Sequence, residues 1–164
     1  MTGMLKRVTK AGPKASGLRV AVVASEYNRR HVDGLVDGAL RVLKESGVEV
    51  EVVRVPGAFE IPVTVETLLR GRRPKVSAIL ALGVIIRGET AHADLVGGAV
   101  TQALMEISVR HRIPVIHEVL LVANQKQAEV RCLDPRYNRG GEAATTALSM
   151  TRTLGRLITE GAGR

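Results

Sequence analysis

A chain of 164 residues, 45% of them hydrophobic, is long enough for one domain with its own core and too apolar for a disordered segment. Aromatics make up only 2%, so that core must be built from Val, Leu, Ile and Ala. The net charge of +8 admits nucleic acid, acidic membranes or anionic small molecules as partners.

Nucleic acid is the weakest of these. One Phe and two Tyr leave few rings for bases to stack on, and no zinc-finger or RNA-recognition signature is present. Many of the arginines then read as a solvated face. The single cysteine, Cys132, excludes an intramolecular disulfide and is the usage expected in a reducing cytoplasm. No apolar run approaches the length of a membrane-spanning helix. Residues 1–17 carry Lys6, Arg7, Lys10 and Lys14 but no apolar core, so they read as a flexible basic arm rather than a secretory signal. Residues 18–164 read as a single domain.

That domain opens on a buried strand from Leu18 to Ala24, followed by the turn Ser25-Glu26-Tyr27-Asn28. Val32, Leu35, Val36, Ala39, Leu40 and Leu43 trace a helix stripe that ends before Gly47. Residues Val48 to Val55 begin with strict alternation, Val-Glu-Val-Glu-Val, which gives a strand one polar face and suits an edge. The run from Pro56 to Pro62 turns into a helix continued by Val65, Leu68 and Leu69 up to Gly71. Ile79 to Ile86 is apolar without a charged residue, as a parallel strand covered on both faces requires, and Gly83 thins it. Arg87-Gly88-Glu89-Thr90 breaks that run, and Thr90 is placed to cap a helix. The stripe of that helix is Leu95, Val96, Ala99, Val100, Ala103, Leu104 and Ile107, with His92 in the first turn, leaning toward the buried side. A fourth strand runs from Ile113 to Val122. Asn124 caps a short helix to about Cys132, Leu133 to Gly141 forms a basic turn, and Ala144 to Ile158 line a last helix.

Four strand–helix repeats predict an α/β fold: a three-layer α/β/α sandwich on a four-stranded parallel sheet with right-handed crossovers. A flavodoxin-like order, 2-1-3-4, puts the polar-faced second strand at an edge. Ligands of such sheets bind beyond the carboxyl ends of the strands, at the switch between the first and third. The turns holding Tyr27, Gly57 to Glu60 and Gly88 to His92 all fall there.

Each of these turns has a chemical and a plain structural reading. Tyr27 can stack on a flat heterocycle, or pack on its own helix. Ala58, Phe59 and Glu60 offer amides and a carboxylate to a polar ring edge, or simply begin a helix with an acid. Glu89 and Thr90 lie where main-chain N–H groups at a helix N-terminus suit a phosphate. His92 can exchange protons near neutral pH, or be an ordinary first-turn histidine.

Two motifs in order, VPGAFEIP at Val55 to Pro62 and GVIIRGETAH at Gly83 to His92, closely resemble the lumazine synthase family. The similarity runs from about Leu18 to about Leu157. The resemblance implies condensation of a ribitylamino-uracil with 3,4-dihydroxy-2-butanone 4-phosphate, without a redox cofactor or metal. It implies that His92 is catalytic, and that Tyr27, Ala58, Phe59, Glu60, Val84, Ile85, Ile86 and His117 bind the uracil substrate. Glu89, Thr90 and Arg131 then bind the phosphate, with a lesser role for Arg139, which stands where the family has Lys. On spacing alone Arg131 is a surface charge. The resemblance also implies a homopentamer, with the arm pairing with a neighbour's sheet and Arg131, His117 and Arg139 coming from that neighbour. The absence of an insertion between Leu133 and Gly141 leans toward a sixty-subunit shell. Three features depart from the family pattern: His117 replaces a common Phe, Glu118 to Val122 replaces a stretch with Gly and paired Thr, and Leu133 to Arg136 replaces a Gly-rich turn. The competing readings are a non-catalytic flavin- or lumazine-binding paralogue and an archaeal-type riboflavin synthase, which needs no phosphate clamp.

Overall fold

The computed structural model describes residues 17–71 and 75–161. The arm expected over residues 1–17 therefore lies almost wholly outside the described residues. The elements run β1 (Arg19–Ser25), α1 (Arg29–Glu45), β2 (Glu49–Val55), a single 3₁₀ turn (Ala58–Glu60), α2 (Ile61–Arg70), β3 (Ala78–Ile86), α3 (His92–His111), β4 (Val115–Val122), α4 (Gln125–Cys132) and α5 (Arg139–Gly161). The four strands are all parallel, in the order β2-β1-β3-β4.

The burial of each strand follows from its sequence. The first seven residues of β3 are buried, and Ile79, Leu80 and Leu82 are wholly so. Each such side chain contributes roughly 1.5–3 kcal/mol relative to exposure. β2 carries the alternating glutamates and lies at the edge, where Glu49 and Glu51 pair with Arg19 of β1. The core divides into two layers about this sheet. One packs Leu35, Ala39 and Leu43 of α1 with Ala144 and Leu148 of α5 against Val22 and Leu80. The other packs Ile61 and Val65 of α2 with Val100, Leu104 and Ile107 of α3 against Val23 and Ile79.

Two boundaries and one helix face differ from the sequence expectation, each for a physical reason. β4 begins at Val115, because Pro114 has no N–H and the Ile113 N–H is taken by the Ser108 carbonyl. α5 begins at Arg139, because Asn138 caps it: its Oδ1 accepts from the Gly141 N–H at 3.0 Å. The expected α3 stripe is partly wrong. Leu95 is 71% exposed, and Ala93, Val100, Leu104 and Ile107 are the buried positions. Apolar residues surround most of this helix, with Met105 and Val109 also exposed, so spacing alone could not choose its inner face. Among the described residues no helix is long and apolar enough to cross a membrane.

Candidate active site

The carboxyl ends of β1 and β3 meet at the topological switch, and backbone hydrogen bonds fix the turns beyond them. The Glu26 N–H donates to the Val55 carbonyl at 2.7 Å and the Tyr27 N–H to the Pro56 carbonyl at 3.0 Å. Asn28 takes a left-handed conformation and sends its Nδ2 to the Val84 carbonyl at 2.7 Å. The turn after β1 is therefore tied on one side to the turn after β2 and on the other to β3. Asn28 is a positioning residue that the sequence reading passed over, although an Asn just before a helix stripe was a visible signal.

These turns enclose a cavity of about 640 Å³. Tyr27, Gly57, Ala58, Phe59 and Glu60 form one wall, Val84, Ile85 and Ile86 the strand side, and Gly88, Thr90, His92, Ala93 and Val96 the other wall. Nine of the predicted site residues are thus brought together. Tyr27 is 72% and Phe59 62% exposed, so two of the chain's three aromatic rings stand open at this cavity. Glu60 turns its carboxylate back over Gly57. Thr90 is not the N-cap expected from the sequence: Ala91 holds that position before α3 without a side-chain cap, and Thr90, one residue earlier, accepts from the His92 N–H across 3.4 Å. His92 is solvent-exposed rather than turned toward the buried stripe, and lines the cavity from the first turn of α3. Glu89 is exposed on the same loop but is not part of the lining.

A larger apolar groove, about 710 Å³, lies at the opposite end of β4 between the last turns of α3 and α5. Its only polar side chains are Ser108 and Arg112. It lacks the convergent polar groups that mark a substrate site.

A sequence model of the 6,7-dimethyl-8-ribityllumazine synthase family matches residues 17–155. The chain belongs to this family. Among its relatives is the 6,7-dimethyl-8-ribityllumazine synthase of Kineococcus radiotolerans, 47% identical over 142 residues that cover 85% of this chain and 86% of the relative. That of Xanthobacter autotrophicus is 40% identical over 144 residues, covering 86% and 87%. That of Azorhizobium caulinodans is 36% identical over 155 residues, covering 93% and 96%. The two motifs that carried the resemblance, Val55 to Pro62 and Gly83 to His92, supply most of the cavity wall, and Tyr27, Ala93 and Val96 complete it.

Three candidate residues lie elsewhere in the same chain. Arg131 is on α4, which packs with α1, α5 and β4, and its Nη1 donates to the Gln127 carbonyl one turn back at 3.2 Å. His117 on β4 places Nε2 2.9 Å from Thr101 Oγ1 of α3, and burial pushes its pKa down, so the neutral ring is favoured. Arg139 is held between two carboxylates. Its Nη2 and Nε donate to Glu118 at 2.7 and 3.2 Å, and its Nη1 to Glu142 at 2.6 Å. Burial raises the Glu118 carboxyl above its ordinary range despite that arginine, while Arg139 itself is held further into the charged state by its two partners despite burial. Burial, with Glu118 nearby, also pushes the Cys132 thiol up to about 12, which makes it inert as a nucleophile near neutral pH.

Proposed function

We propose that this protein is a working lumazine synthase, which joins 5-amino-6-(D-ribitylamino)uracil to 3,4-dihydroxy-2-butanone 4-phosphate to give 6,7-dimethyl-8-ribityllumazine in riboflavin biosynthesis. The observation that carries this reading is the single cavity that gathers Tyr27, Ala58 to Glu60, Val84 to Ile86, Thr90 and His92.

In this reading the uracil ring lies against Tyr27, with its polar edge on the amides around Ala58 and Phe59 and the backbone of Val84 to Ile86. Glu60 accepts from the ribityl hydroxyls. The phosphate of the second substrate sits at the start of α3, where the amides near Glu89 and Thr90 and the helix dipole favour an anion. The uracil amine then attacks the ketone. Phosphate and water leave, and the second ring closes. Most of these steps move a proton, which is the role of His92 beside the reacting atoms. Holding two substrates in one cavity supplies much of the remaining acceleration.

The site in this reading is shared between copies of the chain. Arg131 lies on the side of the sheet built from α1, α4 and α5, and the cavity lies on the side built from α2 and α3. A cyclic, head-to-tail ring brings two such different patches together at every contact. The ring is a homopentamer, with twelve pentamers forming a shell. His117, Arg131 and Arg139 then reach the cavity of the next subunit, with Arg131 binding the phosphate and Arg139, already engaged by two carboxylates, the lesser partner.

Mixing both substrates with the protein and following lumazine fluorescence tests the reaction. Product formation at a rate that depends on His92 is the expected result. His92→Ala should lose about 10²-fold, the low end for a general acid–base group, since positioning survives. Tight lumazine binding without turnover would instead identify a non-catalytic binder, and consumption of lumazine to give riboflavin would identify the archaeal-type riboflavin synthase. Light scattering separates the shell from a free pentamer.

A further inference from the structure

The loop between β3 and α3 is closed at its base by an ion pair. Arg87, the first residue beyond β3, places Nη2 on Oδ1 of Asp94, the third residue of α3. Both ends are anchored. The Arg87 N–H donates to the carbonyl of Val122, the last residue of β4, at 2.9 Å, and Asp94 stands inside the helix. Between them run Gly88, Glu89, Thr90, Ala91, His92 and Ala93, four of which line the cavity. A second link lies inside the first, where the His92 N–H faces Thr90 Oγ1. Both charged side chains are 50% exposed, and among the described residues each has the other as its only ionic partner.

A half-exposed pair of this kind adds little to global stability. Its position gives it another use. It fixes the two ends of a short loop whose interior carries the histidine and the amides assigned to the phosphate. A tether at the base removes conformations in which that loop swings away, at a point where small displacements cost rate.

We propose that Arg87 and Asp94 are positioning residues that hold the Gly88–Ala93 loop in the shape that receives the phosphorylated substrate. The proposal rests on the lumazine synthase reading above. The pair acts on the loop, not on the fold, and the phosphate is its beneficiary rather than the uracil.

The test uses Asp94→Asn, Arg87→Gln and the reversed pair Arg87→Asp with Asp94→Arg. Amide hydrogen exchange over residues 88–93 reads the tether directly and does not depend on activity. Steady-state kinetics with each substrate varied in turn reads its effect. Each single variant should exchange faster in that loop and raise KM for the butanone phosphate by about fivefold, the scale of one exposed pair. KM for the uracil substrate and the melting temperature should hold. The reversed pair should recover most of both losses, and high salt should bring the wild type toward the variants. Unchanged exchange in the single variants overturns the tether. A reversed pair that recovers exchange but not the phosphate KM shows that Arg87 touches the phosphate itself, and overturns positioning. A lower KM in Asp94→Asn marks Asp94 as a charge that repels the substrate, and overturns it too. If the wild type forms no lumazine, the functional reading fails, and the exchange result still decides the tether.

Discussion

Removing either partner of the Glu118–Arg139 pair should have very different costs. Glu118 is 6% exposed on β4, and its carboxyl is raised by burial more than Arg139 lowers it. The folded site therefore disfavours the carboxylate even with its arginine in place. Glu118→Gln removes that charge with little change of shape. It leaves Arg139 with Glu142 and with water, since the arginine side chain is 31% exposed. The expected cost is within about 1 kcal/mol. Arg139→Leu leaves a buried carboxylate with Glu142 close by and no cation, and should cost about 3 kcal/mol, the lower end for a broken buried pair. The pH dependence follows from the sign of the shift. A carboxyl whose folded pKa is raised binds its proton more tightly in the native state. The native state therefore loses stability as pH rises from the ordinary carboxylate range through the raised value. Without Arg139 that value rises further, so part of the Arg139→Leu loss should return near pH 5. Urea unfolding followed by circular dichroism at matched protomer concentration, near pH 7 and near pH 5, measures both effects. Equal costs for the two variants, or a loss in Arg139→Leu that does not shrink on acidification, would refute this reasoning.

Gly140→Ala should be among the most damaging small changes, because its Cβ would lie 1.8 Å from the Leu35 carbonyl oxygen and 2.6 Å from the carbonyl carbon. Parting α5 from α1 should cost roughly 3 kcal/mol or more, whereas Gly155→Ala, with open space around it, should stabilise by about 0.5–1 kcal/mol; thermal melts of the two variants check both. Glu66 accepts from Arg110 and His111 at the end of α3 and from Arg70. Burial pushes its carboxyl up, but these three bonds outweigh it and hold it at about 2. Its folded pKa is depressed, so its contribution is complete above the ordinary value of 4.5 and is lost as pH falls toward about 2. Allowing for solvent screening of the exposed arginines, Glu66→Gln should remove on the order of 1–3 kcal/mol at pH 7 and flatten the acid limb of the stability curve; an unchanged acid limb would contradict the assignment. His92→Ala and Arg131→Ala, co-expressed in equal amounts, should restore about one intact site in four if the site spans two subunits of a ring, whereas activity at the mean of the two variants alone would place both residues in one subunit.

Much of the fold was legible because the strands announce themselves. Ile79 to Ile86 is apolar on both faces, and the alternating glutamates of β2 assign it an edge before any pairing is known. The cavity was legible because all three turns follow strand ends. What the sequence obscured was orientation. α3 has apolar residues on several sides, so Leu95 was assigned inward and points outward. The interactions of Arg139 could not be read from its neighbours in sequence alone. One of its two carboxylates lies 21 positions away on β4 and reaches it through the packing of α5 on the sheet. The Asn28 bond to Val84 spans 56 positions and was invisible for the same reason.

The scarcity of aromatic rings gives this chain an unusual optical property. With no tryptophan, its near-ultraviolet signal comes almost entirely from Tyr27 and Tyr137. Tyr27 stands at the cavity mouth, while Tyr137 is engaged by the Arg136 guanidinium 5.5 Å from its ring centre. Quenching of tyrosine emission on titration with a heterocycle therefore reports one ring at the cavity, with the other as an internal reference. Tyr27→Leu would leave only that reference.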